Sequence, residues 1–306
     1  MKQKTISKEI SIEGKGLHYG EIARLTIKPA PCDSGYVFIR TDIIPNKIVE
    51  AIAENVRDTT RCTTISKNNV SISTIEHLLA ATFALGIDNV IFEINNIEVP
   101  ILDGNAQSFI DLYKKTEIVE QEKELKIIDL EEEIKFSENN IEINIFPSKI
   151  FEIEATLDFK GDIIPPQTAI FNNFNDFEKE IAKSRTFVLL SDIVMLLQHG
   201  LIKGGDVKNA IVLIDREFSQ EEFDNLSEKL NISKFPIQKP GEIFNNTPLY
   251  YQNEQVRHKI LDLIGDLALV GFRFNAKIEA FRNGHTSNTA VAKIIRELIL
   301  NKYINL

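Results

Sequence analysis

A chain of 306 residues exceeds one ordinary hydrophobic core, so about two domains are expected. With 43% hydrophobic and 26% charged residues it reads as an ordinary soluble globular protein, and no apolar run approaches the roughly 18 residues of a membrane span. The 35 basic residues stand against 45 acidic ones, a net charge of −10, which disfavours a nucleic-acid partner because phosphate-backbone binding depends on basic surface.

The opening stretch MKQKTISKEISIEGKG has no apolar h-region, so cytoplasmic residence is the default expectation. GKGLHYG lacks the spacing of a Walker loop and reads as a turn. ARLTIKPA, YVFIRTDI and NVIFEINNI alternate apolar and polar residues as half-buried strands do, whereas STIEHLLAATFALG and AQSFIDLYKK read as helices. Cys32 and Cys62 fall in this half. Two cysteines are too few for a disulfide framework and lack metal-finger spacing, so both are read as structural or incidental thiols.

EIVEQEKELK, the most charged and least periodic stretch, is read as a linker between a domain of residues 1–120 and one of 125–306. Beyond it, KIIDLEEEIKF, IEINIF and FEIEATLDF read as strands. FEKEIAKSRTF, SDIVMLLQHG, EEFDNLSEKL, VRHKILDLIGDLAL and NTAVAKIIRELIL read as helices. GLIKGGD does not follow a clear strand as a dinucleotide fingerprint requires, and is read as a turn. His199 precedes Gly200 at a helix end, where a cation suits the dipole.

Aligning the chain on His77 and His258 exposes a weak internal repeat. Each histidine opens a helix, which leads to a strand, a loop (Asp103-Gly104-Asn105 or Asn283-Gly284-His285) and a second helix, and Gly104 follows His77 by the interval that separates His285 from His258. The expected architecture is α+β: two similar sheet-and-helix domains with a site where they meet.

VRHKILDLIGDL sets His258, Asp262 and Asp266 four apart, on one face of a helix with about 3.6 residues per turn. That stripe is either a solvated face opposite Ile260, Leu261, Leu263, Ile264, Leu267 and Leu269, or half of a metal site, since His and Asp four apart can ligate one divalent ion. His77 is the candidate third ligand. Two nitrogens and one carboxylate, with a position left for water, form the donor pattern of a catalytic zinc. Glu76 carries two readings. Ser73-Thr74-Ile75-Glu76 fits a capping box, in which Glu76 satisfies a backbone N–H; alternatively its carboxylate overhangs the site and takes a proton from an activated water.

ISTIEHLLAA with GIDNV, VPILDG, SRTF, VRHKILDLIGDL and a final GH-x-x-N, together with GKGLHYG, KPAP and RDTTRCT, resemble the zinc-dependent UDP-3-O-acyl-N-acetylglucosamine deacetylases of lipid A synthesis over about residues 10 to 290. The resemblance implies helical layers that face each other with the active site between them. It implies that His77, His258 and Asp262 hold Zn2+ and that Glu76 is the general base. His285 would supply positive charge and protonate the leaving amine, Asp266 would orient His285, and Thr186 would donate to the oxyanion. Phe187 would flank the acyl or sugar groups, with Lys259 and Arg282 at the diphosphate. UDP-3-O-acyl-N-acetylglucosamine is the implied substrate, bound by a monomer with no nucleic-acid partner. An insert near 187–213 would form an acyl-chain passage walled by Val188, Leu189, Ile193, Leu196 and Leu197; core packing of an amphipathic helix is the competing account of these residues. Gln255 departs from the family pattern, and His18 in GLHYG is assigned a structural or substrate-edge role. Two other classes stay compatible: a zinc amidohydrolase for another acylated nucleotide-sugar, and a non-catalytic lipid- or nucleotide-binding relative.

Overall fold

The computed structural model describes residues 1–45, 47–159, 163–198, 203–205, 209–230 and 232–304. The chain opens with β1 (Lys2–Ile6), β2 (Ile10–Lys15), β3 (Ile22–Pro29), β4 (Tyr36–Arg40) and β5 (Lys47–Glu50), then the short β6 (Val56–Asp58), β7 (Thr64–Lys67) and β8 (Val70–Ile72). Helix α1 (Glu76–Ala84), strand β9 (Val90–Ile94) and helix α2 (Gln107–Tyr113) complete the first half. β10 (Ile118–Glu124) and β11 (Ile127–Asp129) lead to β12 (Ile134–Glu138), β13 (Ile141–Phe146), β14 (Phe151–Leu157) and β15 (Gln167–Phe171). α3 (Phe177–Glu180), β16 (Thr186–Leu189), α4 (Leu190–Gln198), β17 (Ala210–Leu213) and α5 (Gln220–Lys229) precede α6 (Glu254–Leu267), β18 (Arg273–Phe281) and α7 (His285–Ile299).

The repeat seen in the sequence is a repeat of topology. One sheet runs β2-β3-β9-β4-β5 and the other β12-β13-β18-β14-β15, with β11 added beside β18. The strand that follows the histidine-bearing helix is central in each: β9 is antiparallel to β3 and parallel to β4, and β18 is antiparallel to β13 and parallel to β14. Alternate residues of β4, β9, β14 and β18 are buried, so each sheet turns one apolar face inward. The fold is α+β, two similar sheet-and-helix halves whose helical layers meet.

The meeting surface is α1 against α6. All nine residues of α1 are buried, the polar Glu76, His77 and Thr82 included. Approach is close because Gly265 has no side chain: a Cβ there would lie 2.1 Å from the carbonyl oxygen of Glu76. Behind this contact one continuous core runs from Ile6 in β1 to Ile299 in α7 through both halves. Arg273, at the start of β18, fastens the far end of α1, donating to the carbonyls of Phe83 (2.6 Å) and Ile87 (2.8 Å) and to Asp88 (3.0 Å). The Phe83 carbonyl belongs to the last turn of α1, where a helix leaves carbonyls without an i+4 partner.

Two stretches differ from their sequence reading. EIVEQEKELK, read as a linker, contains β10, which pairs antiparallel with β1 and places Lys2 opposite Glu124 and Lys4 opposite Glu120. Its charge suits an exposed two-stranded ribbon, where opposite charges across strands are favourable. FEKEIAKSRTF, read as one helix, is helical only at Phe177–Glu180, and Thr186 to Leu189 form a parallel pair with β17. The cause is the buried Arg185, whose guanidinium is held by both oxygens of Glu254 (2.8 and 3.1 Å). His199 lies outside the described residues. Among the described residues no helix is long and apolar enough to cross a membrane.

Replacing Gly265 by alanine forces a methyl group into the Glu76 carbonyl, so the variant should lose about 1–3 kcal/mol or more of stability. A shift of the urea midpoint measures this, and an unchanged midpoint would contradict a backbone-to-backbone contact of the two helices.

Candidate active site

The close approach of α1 and α6 turns the first turn of one helix toward the middle of the other. His77 Nε2 lies 3.6 Å from Asp262 Oδ1 and His258 Nε2 lies 3.2 Å from the same oxygen. The two imidazole rings meet edge to face with centroids 5.0 Å apart. Ligand atoms of His77, His258 and Asp262 all fall within 4.8 Å of one another, and all three residues are buried. The stripe on α6 is therefore not a solvated face.

Hydrogen bonding decides how these groups present themselves. His258 Nδ1 donates to the carbonyl of Ser184 at 3.0 Å, which leaves the Nε2 lone pair facing inward. Burial pushes the His258 imidazolium down to about 3, against the pull of Asp262, so the ring is neutral. Burial opposes ionisation of Asp262 too, but His258 and Lys259 outweigh it and hold the carboxyl well below its usual range. Lys259 Nζ stands 3.0 Å from Asp262 Oδ2, whereas Oδ1 is buried with no hydrogen-bond partner. A buried carboxylate oxygen without a donor, facing imidazole lone pairs, is unfavourable as it stands. A divalent cation among the three atoms resolves it, so this donor set fits a metal ion.

Glu76 opens α1 but does not cap it. Thr74 adopts a left-handed conformation (φ 60°), the helix has no side-chain cap, and Ser73 Oγ instead accepts from Thr64. The expected capping box is absent because Ser73 is occupied elsewhere. Glu76 Oε2 accepts the backbone N–H of Thr63 at 3.0 Å, leaving Oε1 3.9 Å from His285 Nε2. Burial pushes the Glu76 carboxyl above its ordinary range, against the pull of His285 and His77.

His285 is the first residue of α7, set by Gly284 at the N-cap and by Ser287 Oγ, which accepts the Gly284 N–H. Its Nδ1 donates to Asp266 Oδ2 at 2.9 Å. Burial opposes the charge on this ring, but Asp266 and Glu76 outweigh it and hold the imidazolium up to about 9. Asp266 also takes hydrogen bonds from Thr63 Oγ1 (2.5 Å) and Asn288 Nδ2 (2.9 Å). Thr63 and the side chain of Asn288 have no assignment in the sequence reading. Asn288 closes the GH-x-x-N pattern and was recognisable there, whereas Thr63 is one of several threonines in RDTTRCT.

Glu76, His77, His258, Asp262 and His285 line a cavity of about 240 Å³. Thr186, Phe187 and Lys259 are on its wall, with Phe187 against His258 (6.2 Å between ring centroids). Val188 and Ile193 continue the wall with Leu17, Ala210, Val212 and Leu230. Leu189 packs instead with Ile164, Ile211 and Leu213, and the side chains of Leu196 and Leu197 lie outside the described residues. Arg282 is not brought to this wall; it pairs with Asp158 at 2.7 Å. Gln255, the departure, is buried and accepts from Gln167 away from the cavity. His18 does reach the wall, its backbone N–H held by Glu98 and its ring kept below the ordinary histidine range by burial, against Glu98 and with the help of Arg61. Burial pushes the Cys62 thiol up to about 12, which makes it inert.

Residues 3–229 and 225–297 match the family described as LpxC, UDP-3-O-acyl N-acetylglycosamine deacetylase. The chain belongs to this family. It is 40% identical over 97% of its length to the bifunctional enzyme LpxC/FabZ of Porphyromonas gingivalis, of which it covers 65%. It thus spans just under two thirds of the length of that relative. With the UDP-3-O-acyl-N-acetylglucosamine deacetylase of Saccharophagus degradans it shares 37% identity over 97% of this chain and 91% of the relative; with that of Syntrophus aciditrophicus, 34% over 96% and 86%.

The charge state of His285 has a consequence for stability. Because its folded value is raised from 6.5 to about 9, the stabilisation is fully present below about pH 6.5 and is lost as pH rises through about 9. In metal-free protein the loss should be of order 3 kcal/mol across that window. His285→Gln should flatten this part of the urea-midpoint profile; identical slopes in the two proteins would contradict the assignment.

Proposed function

We propose that this LpxC-family chain is a zinc-dependent deacetylase that hydrolyses the N-acetyl group of UDP-3-O-acyl-N-acetylglucosamine in the cytoplasm, releasing acetate for lipid A synthesis. The observation that carries the reading is the convergence of His77, His258 and the unpaired Oδ1 of Asp262 beside the carboxylate of Glu76.

His77, His258 and Asp262 would hold the ion, and zinc, when bound in such a site, lowers the pKa of a water to about 7 and polarises a carbonyl. Glu76, whose Oε1 stays free of the Thr63 amide, would take the proton of the attacking water. Its raised proton affinity suits a base working near neutral pH. The tetrahedral oxyanion needs fixed donors, each typically worth about 3–4 kcal/mol. Thr186, whose hydroxyl has no partner among the described residues, and the charged Nε2 of His285 are the candidates. His285 then gives its proton to the leaving amine, which removes the cost of expelling an amide anion. Asp266 keeps the Nδ1 proton in place, so Nε2 is the nitrogen that faces the substrate.

Substrate groups distribute along the same cavity. Lys259, its ammonium 5.3 Å from the Phe187 ring centroid, is a cation on the cavity wall beside Asp262 and suits the diphosphate side. Val188, Ile193, Ala210, Val212 and Leu230 give the insert end an apolar wall, fitting a 3-O-acyl chain. We take the division into residues 1–120 and 125–306 as the working boundary, each part supplying half of the site.

Purified protein should hold about one zinc per chain, and His77→Ala and Asp262→Ala should each lose most of it by atomic absorption. Full retention in both would remove them from the ligand set.

Acetate release should be measured on UDP-N-acetylglucosamine and on its short- and long-chain 3-O-acyl derivatives. Efficiency should rise steeply with chain length, each buried methylene contributing about 0.8 kcal/mol, and Glu76→Gln should fold, keep metal and turn over about 100-fold more slowly or worse. Flat dependence on acyl length would sink the passage, and normal turnover in Glu76→Gln would sink the base.

A further inference from the structure

We propose that Thr63 is a positioning residue that holds the proton-accepting and proton-donating groups in register across the two halves, an inference that rests on the deacetylase reading. Thr63 belongs to the first half, in the turn before β7, and is fully buried. Its backbone N–H donates to Glu76 Oε2 at 3.0 Å. Its hydroxyl donates to Asp266 Oδ1 at 2.5 Å and lies 3.2 Å from His285 Nδ1, both in the second half. One residue therefore touches the carboxylate that takes a proton, the imidazole that gives one, and the carboxylate that orients that imidazole.

The hydrogen-bond inventory makes the role specific. Thr63 Oγ1 has a single proton, committed to Asp266, so toward His285 it offers only a lone pair. Nδ1–H is thereby shared between Asp266 Oδ2 (2.9 Å) and Thr63 Oγ1, and two acceptors on either side fix the plane of the ring. With the plane fixed, Nε2 points toward Glu76 Oε1. Without the hydroxyl, Asp266 Oδ1 loses its donor while Oδ2 keeps Asn288 and His285, so the carboxylate is held on one side only and the imidazole loses one of its two acceptors. The backbone bond to Glu76 survives any side-chain replacement, so the substitution isolates the acid side of the pair.

Thr63→Val keeps the shape and deletes the hydroxyl. It should bind wild-type amounts of zinc and leave KM for the acylated UDP-sugar within about 3-fold, while kcat falls about 10- to 100-fold, the scale of a misaligned reacting group. Thr63→Ser, which restores the hydroxyl, should return kcat to within about 3-fold of wild type. Thr63→Ala gives a second hydroxyl-free protein if valine misfolds, and should show the same loss of kcat. Nitrogen-15 spectra of histidine-labelled protein, which need no substrate, should show one sharp Nδ1-protonated His285 signal in wild type and Thr63→Ser, and a shifted or broadened one in the hydroxyl-free variants. Wild-type kcat in a folded hydroxyl-free variant, a serine variant as slow as valine, or an unchanged His285 signal would each overturn the proposal. Absence of acetate release from the wild-type enzyme would overturn the deacetylase reading instead, and the spectra would still decide whether Thr63 holds His285.

Discussion

The backbone contact of Gly265 with Glu76 is the constraint on which the rest of the site depends. Helices usually pack about 8–10 Å apart because side chains separate them, and a glycine at the crossing removes one such spacer. Here even a Cβ would lie 2.1 Å from the Glu76 carbonyl oxygen. The contact sits between the residues that matter: Glu76 and its neighbour His77 on one helix, Asp262 and Asp266 flanking Gly265 on the other. Neither helix holds a complete metal site. Arg273 of β18, bonded to the carbonyls of Phe83 and Ile87, ties the opposite end of α1 to the second half.

Three carboxylates and three imidazoles buried in that seam would be ruinous if they shared one environment, and each carboxylate is solved differently. Asp266 takes three donors, from Thr63, His285 and Asn288. Glu76 takes one backbone N–H and keeps an oxygen available. Asp262 has Lys259 on one oxygen and, on the other, two imidazoles but no hydrogen-bond partner. Environments that push otherwise similar groups apart are what acid–base chemistry requires, and these three fit the proposed roles of metal ligand, base and orienting group on two adjoining helices. Because the three residues that could hold a metal come from both halves, binding there would couple to the stability of the seam.

What could be read in the sequence followed from helical geometry. His258, Asp262 and Asp266 are spaced four apart, and the repeat aligned on His77 and His258 carried over into two sheets of the same strand order. Contacts that depend on long-range pairing left weaker local signals. β10 looked like a linker because an exposed ribbon opposite β1 tolerates charge at nearly every position. Residues 184–187 looked helical, but Arg185 pairs with Glu254 and Thr186 and Phe187 join a strand beside β17, partners far away in sequence. The capping box at Ser73 matched a local pattern, but the left-handed Thr74 and a hydrogen bond from Thr64 diverted it. Ser184 acts through its carbonyl and Glu76 is held by the amide of Thr63; such backbone roles leave no mark on residue type.

The central claim is that the two halves meet in order to hold one ion on two imidazoles and a carboxylate. X-ray absorption at the zinc edge of the loaded protein tests it most directly, since it reports the donor atoms whatever the activity. The account predicts only nitrogen and oxygen neighbours at about 2.0–2.1 Å, with the outer-shell scattering of two imidazole rings. A sulfur neighbour at about 2.3 Å, which would bring in Cys62, or the signature of a single imidazole would contradict it.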